Sequence, residues 1–216
     1  MPRALGAKLF FPPVHYSTED GLLAVGGDLS LERLILAYSK GIFPWYSEHT
    51  PILWWTPPER CVLPISPNAL CISSRLARKY RQSTYRHTFN TAFEDVIKKC
   101  ATITRKGQAG TWLLPEMQEA YIKLHKAGLA YSAECWHDEQ LVGGIYGVAL
   151  SRAFFGESMF HILSDASKMA LITLVKHLEL RKFLLFDCQQ ATEHMLRLGA
   201  KVISRTEFEF LLKKAL

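Results

Sequence analysis

No C-x-x-C pair occurs among the five cysteines of this 216-residue chain, which fall at positions 61, 71, 100, 135 and 188. That spacing, with an odd number, argues against a zinc site or a disulfide framework and for reduced thiols in a cytoplasm. No apolar run approaches the roughly 20 residues that a membrane-spanning helix needs, so no membrane partner is expected. The opening MPRALGAKLFFPP has charge but no apolar stretch before its prolines, and a secretory leader is not expected. Neither phosphate-loop template, G-x-x-x-x-G-K or G-x-G-x-x-G, is present; Gly26-Gly27-Asp28 reads as a turn before a helix. Internal repeats and low-complexity tracts are absent. His125 and His194 have no partner at ligand spacing and read as structural histidines, so no metal is expected. What remains is one large domain or two small ones with ordinary globular composition, 49% hydrophobic and 21% charged.

What is present is unevenly placed. The segment GIFPWYSEHTPILWWTPPER, residues 41–60, holds Phe43, Trp45, Tyr46, Trp54 and Trp55, with Tyr38 just upstream. Its prolines, at 44, 51, 57 and 58, break any long helix. So many rings in a loop-rich segment imply either an unusual core or a cavity for something flat or apolar. The net charge is +6, which invites a polyanionic partner. Arg75, Arg78, Lys79 and Arg81 lie within SSRLARKYR with no acid among them. Helical spacing puts the first three on one face, suited to a phosphate backbone or simply to water.

Ser30 is expected to cap a helix over LERLILAYSK that Gly41 ends. The prolines at 64 and 67 mark a boundary, which divides the chain into a small α/β domain, 1–63, and a larger one, 64–216. In the latter, Asn90 is expected to cap a helix over TAFEDVIKKCA, and Pro115 to open a second that Gly128 closes. Strand signals follow in LAYSAECW, QLVGGIYGVAL and RAFFGESMF, with HDEQ as a hairpin turn. A helix over DASKMALITLVKHLEL leads to the strand KFLLFDC, a short helix ATEHMLRLG, and a last helix TEFEFLLKKAL with a Thr206/Glu209 capping box.

This α+β order resembles the acyltransferase (GNAT-type) fold, in which the acyl donor lies where two central strands of a mixed sheet splay apart. In that arrangement Glu157 and Asp187 end neighbouring strands and make the mouth of the splay acidic. Glu157 leaves an apolar strand, where a carboxylate is costly unless paired or bound to a cation; Lys168 is its simplest structural partner. Asp187 and Gln189 share strand periodicity and point to one face, as a proton acceptor with an amide clamp, or as a cap for the next helix. Cys188 points the other way, to the core. Gly143, Gly144 and Gly147 permit close approach of backbone or ligand. The helix that would hold the CoA pyrophosphate begins HILSDASKMAL, without glycine, so CoA is disfavoured and no cofactor is expected.

The words GLLAVGGDLS, AYSKGIFPWYS, PILWWTPPER, GTW, YSAECW, LVGGIYGVA, FFGESMF, ASKMAL and DCQ, in order from about residue 10 to about 208, resemble the leucyl/phenylalanyl-tRNA–protein transferases. The resemblance implies transfer of leucine or phenylalanine, methionine less well, from its tRNA to proteins beginning with arginine or lysine, in a bacterial cytoplasm, as part of N-degron turnover. It implies a CoA-free acyltransferase-like domain. By the same resemblance Tyr38, Trp45, Trp112 and Tyr121 line the aminoacyl-adenosine site with Ser158, Leu174 and Leu178. Glu157, Asp187 and Gln189 are its central polar residues, and the basic helix meets the acceptor stem. Trp54 and Trp55 are left as mostly structural. Gln190 and Arg197 depart from the family's tendency, and the aliphatic Leu174 and Leu178 leave the leucine-versus-phenylalanine preference open. Within this scheme Asp187 takes the proton from the attacking amine, directly or through Gln189, and Glu157 receives the basic acceptor residue. Two rivals are an acetyl-CoA N-acetyltransferase and a non-catalytic RNA-binding module. A monomer is the default.

Overall fold

The computed structural model describes residues 2–103 and 112–216. Of the word GTW, therefore, only Trp112 lies within the described residues. Eleven strands and seven α-helices occur among them: β1 (Arg3–Leu5), β2 (Leu22–Gly26), α1 (Leu31–Ser39), β3 (Phe43–Pro44), β4 (Leu53–Trp55), β5 (Glu59–Val62), α2 (Ser74–Tyr80), β6 (Tyr85–Phe89), α3 (Phe93–Thr102), α4 (Pro115–Lys126), β7 (Ala130–His137), β8 (Gln140–Leu150), β9 (Ala153–His161), α5 (Ala166–Leu180), β10 (Leu185–Asp187), α6 (Glu193–Arg197), β11 (Lys201–Ser204) and α7 (Arg205–Ala215). A four-stranded sheet runs β1-β2-β4-β3, and a seven-stranded mixed sheet runs β11-β5-β10-β9-β8-β7-β6. The fold class is α+β.

The division near residue 63 does not fall at a break in either sheet. β5, just before it, joins the large sheet, antiparallel to both β10 and β11. One hydrophobic cluster also carries Leu34 and Tyr38 of α1 together with Met117 and Tyr121 of α4 and Tyr146 of β8. The two parts share a core.

Local chemistry accounts for most elements. Ser30 accepts the Arg33 N–H at 3.4 Å and starts α1, and Gly41 leaves it at φ 69°. Asp138 and Glu139 take φ 48° and 58° in the β7–β8 hairpin, as a two-residue turn matched to strand twist requires. Two expected caps move. Asn90 sits at φ 59° as a turn residue, α3 begins at Phe93, and the buried Glu134 carboxylate takes the Ala92 N–H at 3.4 Å. At the C-terminal helix Ser204, not Thr206, accepts the Glu207 N–H at 3.2 Å. The hydroxyl that caps is the one nearest the strand end.

Among the described residues β10 is the only parallel partner of β9, matching Leu185–Asp187 to Ala153–Phe155. Beyond Phe155, β9 runs on to His161 without β10 beside it, and this is the splay. Gly143, in β8, lets α5 seat there: a Cβ at 143 would lie 2.5 Å from the Ala166 carbonyl carbon and 2.7 Å from its oxygen. Because the obstacle is backbone, Gly143→Ala is expected to destabilise the fold by about 1–3 kcal/mol in denaturant melts. An unchanged midpoint would show that α5 can shift freely.

Candidate active site

A cavity of about 710 Å³ opens at the splay, lined by Glu157, Gln189 and Cys188 together with Met159, Ile145 and Phe186. Ser158 also lines it. Glu157 stands on β9 next to a register shift between β8 and β9, which turns its carboxylate inward from the sheet. There Tyr38 Oη donates to Oε1 at 2.7 Å, Tyr121 Oη to Oε2 at 2.7 Å, and Gln189 Nε2 to Oε1 at 2.8 Å. The two tyrosine hydroxyls are themselves 2.8 Å apart. Both rings are fully buried, held by α1 and α4.

Burial raises the Glu157 pKa from the usual carboxylate range to about 7, the three hydrogen bonds opposing and nearby Asp187 reinforcing the rise. The tyrosines rise well above their ordinary value, chiefly through burial and next through the charge of Glu157. They therefore act as hydrogen-bond donors, not as bases. Lys168, the simplest structural partner for Glu157, binds Asp165 instead at 2.8 Å.

Asp187 does something other than expected. It is fully buried at the end of β10 and forms an ion pair with the buried Arg60 of β5, through Arg60 Nε at 3.2 Å and through Nη2. Its Oδ1 also accepts the Gln189 N–H at 2.8 Å. It does not line the cavity, so the role of direct proton acceptor passes from it. The physical reason is strand order. β5 lies between β10 and β11 and brings an arginine against Asp187, which no spacing along the chain reveals. Gln189 is no strand residue either: at φ 61° it turns out of β10, so it reaches Glu157 while Asp187 faces Arg60. Cys188 packs against the core cluster that holds Cys61, as expected, and also forms part of the cavity wall.

Arg60 carries a wider load. Its Nη1 donates to the Gly41 carbonyl at 2.6 Å, and its guanidinium lies 4.1 Å from the Phe208 ring centre and 5.1 Å from that of Phe43. Sequence reading overlooked it, although a lone arginine and a lone aspartate in two apolar strands, ERCVL and LLFDC, were an available signal.

The remaining expected residues divide. Tyr38 and Tyr121 meet at Glu157. Trp45 is 40% exposed, its ring edge-on to Trp55 with centres 6.0 Å apart, and Trp112 is half-buried; neither lines this cavity. Trp54 is fully buried and structural. Leu174 and Leu178 belong to the core cluster that also contains Ile145 and Phe186, so they lie behind the cavity wall and do not face it. Arg75, Arg78 and Arg81 are exposed, whereas Lys79 is tied to the Ser164 carbonyl at 2.6 Å. His125 is structural, with Nδ1 2.9 Å from the Ala130 carbonyl oxygen, but His194 lines the cavity. No group of residues fit to hold a metal ion occurs among the described residues. No helix there is long and apolar enough to cross a membrane.

A sequence model of the leucyl/phenylalanyl-tRNA protein transferases matches residues 64–213, and one of that family's N-terminal domain matches residues 27–58. The chain belongs to this family. It is 54% identical over 198 residues to the leucyl/phenylalanyl-tRNA–protein transferase of Nitratidesulfovibrio vulgaris, covering 92% of this chain and 84% of the relative. The Anaeromyxobacter relative of the same name is 52% identical over 212 residues, covering 98% and 89%. Among solved structures, a GCN5-related N-acetyltransferase-like protein from Streptococcus suis aligns with TM-score 0.41 and 11% identity, over 68% of this chain and 57% of that one. Membership makes the protein an aminoacyltransferase.

Two expectations follow from the transferase site. Removing one partner of a buried ion pair strands the other charge, so Arg60→Met should cost about 3–5 kcal/mol of unfolding free energy. A loss under 1 kcal/mol in denaturant melts would show the pair to be dispensable. Glu157 binds its proton more tightly folded than unfolded, so its contribution to stability declines as pH rises through the window from about 4.5 to about 7. Glu157→Gln should therefore gain on the wild type in melting temperature across that window, and parallel curves would contradict the burial argument.

Proposed function

We propose that this transferase moves leucine or phenylalanine, and methionine less well, from aminoacyl-tRNA onto the N-terminal arginine or lysine of acceptor proteins, marking them for degradation. The observation that carries the chemistry is Glu157, a carboxylate with a pKa of about 7 in the wall of an otherwise largely apolar cavity. The reaction is ester aminolysis. The attacking α-amine has an ordinary pKa of about 7.7–8.0, so a weak acceptor near 7 is well matched to it. Most of the barrier is orientation, where positioning contributes about 7–11 kcal/mol.

The amine nitrogen attacks the ester carbonyl, the carbon–oxygen bond to the terminal ribose breaks, and the amine's proton passes to Glu157. The neighbouring ribose hydroxyl hands its proton to the departing oxygen and recovers one from Glu157, which returns to its carboxylate form. Gln189 spends its amide N–H on Glu157 and offers its carbonyl oxygen to the incoming amine. Asp187 is a positioning residue that holds the Gln189 backbone. Met159, Ile145 and Phe186 supply apolar surface for the transferred side chain. The exposed ring of Trp45 and the half-buried ring of Trp112 suit base stacking, worth about 1–3 kcal/mol per base, and the exposed Arg75, Arg78 and Arg81 suit the acceptor stem. Both Glu157 oxygens already accept hydrogen bonds, so selection of a basic acceptor residue does not fall to Glu157 alone.

The deciding assay supplies labelled leucyl-tRNA with two proteins that differ only in an N-terminal arginine or alanine. Label on the arginine protein alone is the expected result. Label on both would discard the acceptor rule, and label on neither would leave an RNA-binding protein. Glu157→Gln is expected to lower turnover at least a hundredfold with tRNA binding retained, and full turnover in that variant would remove the proton-acceptor role.

A further inference from the structure

Where the start of α5 meets the same cavity, the wall is built differently. Ser167, in the first turn of the fifteen-residue α5, lines the cavity and is only 4% exposed. Its hydroxyl has no hydrogen-bond partner, and the N–H groups of Ser167 and Lys168 find no acceptor among the described residues. Asp165 precedes the helix at φ 70°, and its side chain does not cap it. The α5 terminus therefore presents unspent donors and the positive end of the helix dipole to the cavity. Gly143 allows this terminus to sit directly on the sheet.

Basic side chains gather at the same place. His161 and His194 line the cavity. Burial first, then the charges of Lys168, His161 and Arg197, hold the His194 pKa below its ordinary value, so these groups are close neighbours. The local acids are already engaged: Asp165 by Lys168 at 2.8 Å and Lys79 at 4.0 Å, and Glu193 by Arg197 at 2.9 Å. Unspent donors at the helix terminus, with no acid left free beside them to repel an anion, make a setting for an anionic oxygen ligand.

We infer that Ser167 and the first turn of α5 bind a phosphodiester of the donor, the one on the 5′ side of its terminal adenosine. The assignment of that phosphate to the donor rests on the transferase reading above. The geometry favours this phosphate because Glu157 and Ser167 line the same cavity, and the 5′ phosphate is the anion nearest the reacting ester. The pyrophosphate grip of a glycine-rich turn is not needed, since a single phosphate requires few donors.

Calorimetric titration of the whole protein with adenosine, 5′-AMP and inorganic phosphate tests the inference without depending on turnover. 5′-AMP is expected to bind about tenfold more tightly than adenosine, the gain usual for a charge-assisted hydrogen bond. Ser167→Asp places an acid where helix N-termini tolerate one, so it should fold, and it is expected to abolish the 5′-AMP preference while leaving adenosine binding in place. Ser167→Ala should weaken 5′-AMP severalfold. Equal affinity for 5′-AMP and adenosine in the wild type, or a preference that survives Ser167→Asp, would overturn the inference. Inorganic phosphate binding as tightly as 5′-AMP would also overturn it, as an adventitious anion site only. If the preference and its dependence on Ser167 hold but no leucine is transferred to any acceptor, the function proposed above fails while the phosphate site stands.

Discussion

The buried pair of Arg60 and Asp187 is the constraint on which the rest of the site depends. Two desolvated charges are tolerated only when each is fully satisfied, and here satisfaction is spread across the molecule. Arg60 reaches the Gly41 carbonyl at the end of α1, the rings of Phe43 and Phe208, and the end of β10. Gly41 must be glycine for this: it sits at φ 69°, and a Cβ there would lie 2.6 Å from the Phe208 ring. Asp187, so held, also fixes the Gln189 N–H through Oδ1, and Gln189 in its left-handed conformation reaches Glu157. A link that is structural at one end becomes chemical at the other within two residues.

The electrostatics of the cavity differ from those of a simply acidic mouth. One acid, Asp187, is neutralised by its arginine. The other, Glu157, is held near the pH at which it can gain or lose a proton, by burial against two tyrosine donors. A cavity lined by two permanent carboxylates would repel a polyanionic donor, whereas this one presents a single titrating acid together with the unspent donors at the start of α5. That combination matches a substrate whose reacting ester is neutral and whose flanking backbone is not.

The aromatic density of residues 41–60 also resolves. Trp54 fills the core, and its Nε1 donates to the Gly26 carbonyl at 2.9 Å. Phe43 packs on the Arg60 guanidinium, and Trp55 donates to the Trp45 carbonyl at 2.7 Å. Trp45 alone of these leaves a large part of its ring in solvent. Prolines at the strand ends cost nothing here because the strands are two or three residues long. Most of the rings thus build the wall that positions Tyr38 and Arg60, and few are left to meet a ligand.

The elements with strong local signals were legible in the chain: the Ser30 cap, the Pro115 start, the β7–β8 hairpin, the long α5 and the apolar strands around the splay. The short strands β1 to β6 and β11 were not, since strands of two to five residues are too brief to set up a period. Glu157 and Gln189 were legible as site residues because polar groups ending apolar strands need partners. Their partners were not legible. Arg60 and Asp187 are separated by 127 positions, and Tyr38 and Glu157 by 119. Caps, turns and hydrophobic period act within a few residues and are written locally. Which buried charge meets which is decided by strand order and by the register shift in β9, and those arise only when the whole sheet assembles around one core.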